Sequence, residues 1–427
     1  MRGKGAAALA GLLGTVLALS ACGGGSSDGD SGGGTNTGRG PFTFVTGKDL
    51  SGIMPYIAEE WNKAHPEEKV TIKQQSDAAD QQLSDLQQHF QAKDADYDVV
   101  TVDVVWTAEF AAKGWIVPLK GDLALDQADL LPATVTAATY NGTQYAAPYD
   151  SDGGLLYYRT DLVKEAPTTW DELIADCEGK STSGTITGSK PGCYAGQLAS
   201  YEGLTVNASE AINAAGGTIV SDDGKSATVD TAEAAKGLDF LVNGFKEGYI
   251  PKEALGFKET ESLNAFAAGD LVFLRNWPYA YSQLNGDSKV KGKFGVAPLP
   301  GPTGSGASSL GGHSAAISAY SKNQASALDF LKFLQSEEIQ KNQLIKGSKA
   351  PVIASLYDDA DLNKEFGYLS TLKESIETAV PRPVTPFYPA VTQAIQTNAY
   401  AALQGKSTTA DALKDMAASI NSAAAGG

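Results

Sequence analysis

The chain has 427 residues, and its 33 Lys and Arg residues are outnumbered by 50 Asp and Glu residues, which gives a formal net charge of −17. Nucleic acids are bound mainly through Lys and Arg contacts to phosphate, so this acidic balance argues against a nucleic-acid-binding protein. From Pro41 onward the chain is long enough for two domains, each with its own core.

The N-terminal segment has the pattern of a signal peptide. Arg2 and Lys4 precede an apolar run of 14 residues, from 6 to 19, which is too short to span about 30 Å of hydrocarbon. The letters LSAC then place Cys22 directly after small residues, which resembles the bacterial lipobox, where the cysteine is diacylated and the chain is cut before it. We therefore expect an extracytoplasmic protein that Cys22 anchors to the cell membrane. An ordinary secreted protein is the alternative.

After the Gly/Ser-rich stretch that ends at Gly40, apolar strands alternate with amphipathic helices. The strands are apolar along most of their length, which predicts an α/β fold with a largely parallel sheet buried on both faces. The last third is mainly helical, and small and polar residues at 146–154 could form a hinge. The predicted strands are 42–46, 70–74, 97–103, 155–159, 271–276 and 293–300, and the predicted helices include 51–63, 81–93, 262–268, 388–403 and 409–422.

Two further cysteines, Cys177 and Cys193, flank a loop rich in Gly, Ser and Thr. In an exported chain this pair predicts a disulfide bond. A metal site would need more ligands, and His65, His89 and His313 have no metal-ligand spacing, so neither a metal nor another cofactor is expected.

Outside the Gly/Ser-rich tether the sequence has no G-x-S-x-G, H-E-x-x-H or P-loop motif, so no common catalytic signature is present. An acidic chain always permits a pair of carboxylates, and a surface glycan hydrolase that uses two aspartates is therefore the alternative to a binding protein.

Polar and aromatic side chains lie where predicted elements end. Aspartates after strand ends lie at the usual ligand edge of an α/β sheet. Carboxylates accept hydroxyl hydrogens, arginine donates a planar pair of N–H groups, and an indole covers an apolar sugar face, so the set suits a neutral polyol. Taken singly, each residue also fits a structural role in the core, in a surface ion pair or in a turn. The set consists of Asp103, Asp150, Asp152, Trp277, Gly312 and Arg382.

Several longer strings resemble the sugar-binding proteins of ABC importers, in the extracellular solute-binding family. They are 97–119, 147–163, 166–174, 196–207, 273–281 and 310–323, and they keep their order over nearly all of 42–422. The resemblance is greatest to the trehalose- and maltose-binding members. It implies two α/β lobes joined by a multi-strand hinge, with a sugar such as an α-glucoside disaccharide bound in the cleft between them. It also implies a monomer without enzymatic activity that delivers its ligand to the permease of an ABC transporter.

The resemblance also implies a set of ligand-binding positions. Three of them depart from the trehalose/maltose pattern: Gln81 stands in place of an arginine, Asp150 in place of an aromatic residue or asparagine, and His313 in place of a tryptophan. These departures bear on the identity of the sugar. The implied positions are Ser76, Asp77, Gln81, Asp103, Asp150, Asp152, Trp277, Gly312, His313 and Arg382.

The predicted division of the chain follows from these patterns. Residues 1–21 form the lipoprotein signal peptide, 22–40 the flexible tether, 41–149 and 289–335 the two parts of lobe 1, and 150–288 with most of 336–427 the two parts of lobe 2.

Overall fold

The computed structural model describes residues 38–179 and 192–426. The predicted signal peptide, Cys22 and most of the tether lie outside the described residues. The described strands are β1 (Phe42–Thr46), β2 (Val70–Gln74), β3 (Val99–Asp103), β4 (Thr139–Tyr140), β5 (Thr143–Gln144), β6 (Ala147–Gly153), β7 (Leu155–Arg159), β8 (Gly192–Ala195), β9 (Leu271–Asn276), β10 (Phe294–Ala297) and β11 (Leu310–Ile317).

Helices surround the strands, and none of the described helices is both long and apolar enough for a membrane span. The α-helices are α1 (Met54–Ala64), α2 (Ala79–Gln91), α3 (Thr107–Ala112), α4 (Pro132–Ala137), α5 (Trp170–Cys177), α6 (Glu202–Ala214), α7 (Ala232–Glu247), α8 (Glu259–Ala267), α9 (Ala280–Asn285), α10 (Gln324–Leu334), α11 (Glu337–Gly347), α12 (Ala360–Glu365), α13 (Leu369–Glu377), α14 (Tyr388–Leu403) and α15 (Thr409–Gly426). Short 3₁₀ helices occur at Gly121–Leu123, Lys252–Gly256 and Ala354–Asp358.

The first sheet has the strand order β2-β1-β3-β11-β6, and its inner strands are buried on both faces. Along β1, Phe42 and Phe44 pack against Phe330, whereas Val45 packs into a second cluster with Leu86. This alternation follows from the period of two in a strand, which sends successive side chains to opposite faces. The α/β class predicted from the sequence is therefore confirmed.

The predicted strand direction was only partly right. Strand β1 is parallel to β2 and β3, and β8 is parallel to β9, but β11 is antiparallel to β3 and β6, and β7 is antiparallel to β9 and β10. A continuous apolar run reports burial on both faces and carries no information about direction. Both sheets are therefore mixed rather than largely parallel.

The second sheet has the order β10-β7-β9-β8 and its own core. Strand β10 was grouped with lobe 1 through the predicted range 289–335, yet it pairs with β7 in this sheet. A Cβ on Gly295 would lie 2.5 Å from the Tyr158 ring, so the missing side chain leaves room for that ring across the pair. The sequence of a strand of only four residues does not indicate which of two sheets it joins.

The chain passes between the two sheets more than once. Gly154 alone separates β6 in the first sheet from β7 in the second, and residues 298–309 lead back from β10 to β11. A third passage follows α10, because Leu334 packs in the core of the first sheet and Leu344 in that of the second. This is the multiply crossed connection between the two lobes that the resemblance implied.

The Sγ atoms of Cys177 and Cys193 lie 1.96 Å apart and their Cα atoms 5.4 Å apart, which is the geometry of a disulfide bond. The bond would join the end of α5 to β8, and its partners are 16 positions apart.

Replacing both cysteines with serine is expected to lower the free energy of unfolding by about 3 kcal/mol, because the unfolded chain gains the freedom of an open loop. Urea denaturation of the variant measures the loss, and reduced wild-type protein is the control that should lose the same amount. Two reactive thiols in the unreduced mature protein would contradict the predicted bond.

Candidate ligand-binding cleft

A cavity of about 170 Å³ lies between the two sheets. This volume holds a small organic molecule rather than one isolated water. Strands β1 and β3 reach it with their carboxyl ends, at Thr46 and Asp103, as expected for ligand sites in α/β sheets. Residues Tyr201 and Glu202 at the start of α6, and Trp277 just after β9, form the opposite side.

The structure brings most of the predicted ligand-binding residues to this cavity. Ser76 and Gln81 are not part of its lining, and the Ser76 hydroxyl instead donates to Gln81 Oε1 at 2.5 Å in an exposed turn. Asp150 is also absent from the lining and lies behind the wall with 2% of its surface exposed. The predicted residues that line the cavity are Asp77, Asp103, Asp152, Trp277, Gly312, His313 and Arg382.

Arg382 joins the two sides of the cavity. Its guanidinium donates to Asp103 Oδ1 at 2.6 Å and to Glu202 Oε1 at 2.5 Å, and 3% of its side chain is exposed. The hydroxyl of Tyr388 also donates to Glu202 Oε1, and that of Thr392 donates to Oε2 at 2.6 Å. Burial raises the pKa of Glu202, and the charge of Arg382 opposes this rise. The arginine is therefore a buried bridge rather than a surface ion pair.

Further contacts cross from one side of the cavity to the other near the start of α2. The Asp80 carboxylate accepts hydrogen bonds from the Glu202 backbone N–H at 2.8 Å and from Gln396 Nε2 at 3.0 Å. Lys258 Nζ lies 3.3 Å from Asp77 Oδ1. The two sides thus touch directly along this rim.

Two of the departures from the trehalose/maltose pattern occupy paired positions. His313 on β11 is opposite Asp150 on β6, and its Nδ1 lies 3.0 Å from Asp150 Oδ1. The Lys349 ammonium donates to the other carboxylate oxygen of Asp150. Burial alone would raise the pKa of Asp150, but the charges of Lys349 and His313 outweigh it and lower this pKa to about 2. The ionised Asp150 therefore holds His313 and Lys349 in the cavity wall.

Asp152, in contrast to Asp150, is not held by hydrogen bonds from its neighbours in the wall. Its side chain has no hydrogen-bond partner among the residues that the structure describes. Burial, followed by repulsion from Asp150, raises its pKa to about 7, although Lys349 and His313 act in the opposite direction. A Cβ on Gly311 would lie 3.1 Å from Asp152 Cβ and 2.9 Å from Cζ3 of Trp277. The glycine therefore lets the indole and the carboxylate lie close together.

This raised pKa predicts a pH-dependent stability. From about pH 4 to pH 7 folded Asp152 keeps a proton that the unfolded chain has lost, so the free energy of unfolding falls by up to about 1.4 kcal/mol per pH unit as the pH rises. Asp152→Asn should remove this contribution and gain stability relative to wild type across that window. Urea denaturation at pH 5, 6, 7 and 8 measures it, with the exposed Asp270→Asn as control. Parallel curves for Asp152→Asn and wild type would contradict the shift.

The carboxylates and ring of Asp150, Asp152 and His313 offer three ligand atoms within 4.8 Å of one another. Both oxygens of Asp150, however, are already engaged by His313 and the Lys349 ammonium. The protein's own cations thus neutralise this cluster, and its donor set does not fit a metal ion.

Trp277 is held against the second sheet. Its ring centroid lies 3.8 Å from the guanidinium carbon of Arg275, and its backbone carbonyl accepts from the Tyr157 hydroxyl at 2.9 Å. The indole is only partly buried and forms part of the cavity lining. It can therefore present apolar surface to a ligand.

Several lining residues were not singled out from the sequence. Tyr201 and Glu202 lie inside the string 196–207, which could have directed attention to them. Lys349 follows α11 in a polar segment without a recognisable pattern, so nothing in the sequence marked it. The missed polar and aromatic residues include Lys48, Asp49, Tyr149, Tyr201, Glu202, Glu259, Tyr279 and Lys349.

Solved structures share this fold. The maltose-bound MalE3 protein of Thermotoga maritima is 32% identical, with a TM-score of 0.82 over 89% of this chain and 98% of that one. An ABC transporter solute-binding protein from Thermotoga lettingae, bound with alpha-D-tagatose, has a TM-score of 0.81 over 91% of this chain and all of that one. Its 24% identity supports the comparison of fold alone.

The sequence itself matches curated relatives and a family. A probable ABC transporter-binding protein of Deinococcus radiodurans is 35% identical over 373 residues, which cover 84% of this chain and 87% of the relative. The sequence profile of the bacterial extracellular solute-binding proteins matches residues 46–341, well over half of the chain. Together with the crossed two-sheet fold and its cavity, this match shows that the chain belongs to the bacterial extracellular solute-binding protein family.

Proposed function

We propose that the protein captures a disaccharide of the α-glucoside class, such as maltose or trehalose, for an ABC importer. The observation that carries the proposal is the partly exposed indole of Trp277 beside the unpartnered carboxylate of Asp152 in the cavity. An indole covers the apolar face of a hexose, while the Asp152 carboxyl group, whose pKa is raised to about 7, can accept from or donate to its hydroxyls. The maltose bound to the Thermotoga maritima relative supports the same class.

Capture would couple to closure of the two sides. A sugar that touches Trp277 on one side and Asp103 or His313 on the other stabilises the closed arrangement more than the open one. The permease would then recognise the closed form and receive the ligand. Family membership supports this role, because the family consists of binding proteins rather than enzymes.

Glycan hydrolysis is the alternative. A carboxylate pair must supply both a proton donor and a nucleophile or base. Asp152, with its raised pKa, would suit the donor, but both carboxylate oxygens of its neighbour Asp150 are engaged by Lys349 and His313, and Asp150 does not line the cavity. The arrangement therefore favours binding over cleavage.

A calorimetric screen of the mature protein tests the proposal. Maltose and trehalose are expected to bind in a one-to-one ratio, with no product after prolonged incubation. Tagatose and mannitol serve as comparison ligands of other sugar classes. Release of glucose would establish the hydrolase, and binding of a polyol with no binding of either disaccharide would refute the α-glucoside class.

The anchor is a separate part of the proposal. A lipidated Cys22 would hold a monomeric protein at the outer face of the cell membrane, close to the permease. Cys22→Ser is expected to move the protein from the membrane fraction to the medium without changing its affinity for sugar. Immunoblots of the two fractions measure the change, and retention of the variant at the wild-type level would rule out lipidation of this cysteine.

A further inference from the structure

We propose that Arg275 and Glu210 are positioning residues, which fix the indole of Trp277 and tie it to the segments that connect the two sheets. The inference rests on the proposed function, because it assigns a role to the ion pair that lies behind Trp277, the residue proposed to contact the sugar.

Hydrogen bonds to Glu210 and Gln197 fix the orientation of the Arg275 guanidinium. Its Nε lies 2.8 Å from Glu210 Oε2 and its Nη2 2.5 Å from Glu210 Oε1, while Nη1 donates to Gln197 Oε1 at 3.0 Å. Arg275 is 1% exposed and Glu210 5% exposed. A two-pronged contact of this kind fixes the orientation of the guanidinium as well as its position.

The Trp277 indole stacks on this fixed guanidinium. The guanidinium carbon lies 3.8 Å from the centroid of the Trp277 ring, which is stacking distance. Arg275 lies near the end of β9 and Trp277 directly follows the strand, so the two side chains come from adjacent parts of the chain. The indole therefore rests on a rigid cation and keeps its orientation in the absence of ligand.

The same carboxylate reaches both short connections between the sheets. Glu210 Oε1 accepts a hydrogen bond from the Ser309 backbone N–H at 3.0 Å, one residue before β11. At the other connection, a Cβ on Gly154 would lie 2.5 Å from Glu210 Oε1 and 2.8 Å from Arg275 Nη2. The ion pair that supports the indole is therefore in direct contact with both connections.

Stability alone does not account for such a pair. Buried ion pairs are often no more stabilising than apolar residues of similar volume, because both charges lose their hydration. A fixed guanidinium plane, by contrast, has a direct consequence for the orientation of a neighbouring indole.

The test uses Arg275→Lys, which keeps the charge but loses the plane and the two-pronged contact. Arg159→Lys is the matched control, because Arg159 on the adjacent strand β7 makes a similar contact with Asp161, at 2.7 Å for both N–O pairs, outside the cavity lining. Acrylamide quenching of Trp277, obtained by subtracting the signal of the matching Trp277→Phe protein, reports indole exposure without any ligand. Quenching should increase in Arg275→Lys and stay unchanged in Arg159→Lys.

Sugar affinity supplies the second measurement. Arg275→Lys should weaken binding by about tenfold, the scale of a lost stacking contact. If the arginine acts through the indole, the same change in a Trp277→Ala background should have little further effect. Equal losses in both backgrounds, or unchanged quenching, would overturn the proposal.

Glu210→Gln is the second variant in case Arg275→Lys does not fold, and it should increase quenching in the same direction. Failure of the wild-type protein to bind any sugar would refute the proposed function, whereas the quenching comparison would still decide the role of Arg275.

Discussion

Arg382→Met is expected to lower the free energy of unfolding by about 3–5 kcal/mol at neutral pH, because it leaves two buried carboxylates without their cation. In the folded protein the guanidinium bridges Asp103 on β3 and Glu202 on α6, and 3% of its side chain is exposed. The effect therefore falls on the ligand-free protein as well as on sugar binding. Differential scanning calorimetry and urea denaturation measure the loss.

The loss should also depend on pH. Without the arginine, Glu202 loses the charge that opposes the burial-driven rise of its pKa, so its folded pKa lies further above the unfolded one. A raised pKa of this kind makes the free energy of unfolding fall as the pH increases above about 4. The variant should thus be closer to wild type at pH 5 than at pH 8.

Glu202→Gln is the matched control, because it removes one charge of the cluster while the amide oxygen can still accept from Tyr388 and Arg382. Its destabilisation should be smaller than that of Arg382→Met. An Arg382→Met protein with wild-type stability at pH 8 would show that the bridge has no structural role.

Trp277→Ala is expected to weaken sugar binding by about 30-fold. If a sugar face covers about 80 Å² of the indole, burial at roughly 25 cal/mol per Å² corresponds to about 2 kcal/mol. The apo protein should keep most of its stability, because the indole is only partly buried. Titration calorimetry and thermal melts of the same preparation measure both quantities.

Trp277→Phe is the control for Trp277→Ala and should retain much of the affinity, since a phenyl ring still offers an apolar face. The competing role for Trp277 is that of a core residue, which would cost several kcal/mol of apo stability on truncation. A strongly destabilised protein with undiminished sugar affinity would therefore contradict the proposal that the Trp277 indole binds a sugar ring.

The sequence predicted the fold class and several of the residues that line the cavity, because both leave local patterns in the chain. The apolar strands predicted a sheet, and Asp103 could be placed at a strand end, where α/β sheets bind ligands. Trp277 stood beside a proline just past β9, where it could not continue the ladder. Both residues line the cavity because each stands at or just after the end of a strand.

What the sequence did not predict depends on pairing across long distances. The bond between Arg382 and Glu202 joins residues 180 positions apart, and the Lys349 contact with Asp150 spans 199 positions. The sheet that β10 joins and the direction of β11 likewise depend on which strands meet. Hydrophobic periodicity describes one segment at a time and carries no information about its partners.

The pairing of Asp150 with His313 has a consequence for the routes by which the specificity of this cleft can be re-engineered. Restoring a tryptophan at 313 alone leaves the Asp150 charge with one cation fewer, and replacing Asp150 alone leaves the Lys349 ammonium without its counter-ion. The second exchange leaves a buried charge uncompensated, which is strongly destabilising, whereas in the first the Lys349 ammonium still pairs with Asp150. We therefore expect a library that varies the three residues together to retain folded variants that an exchange of Asp150 alone would lose.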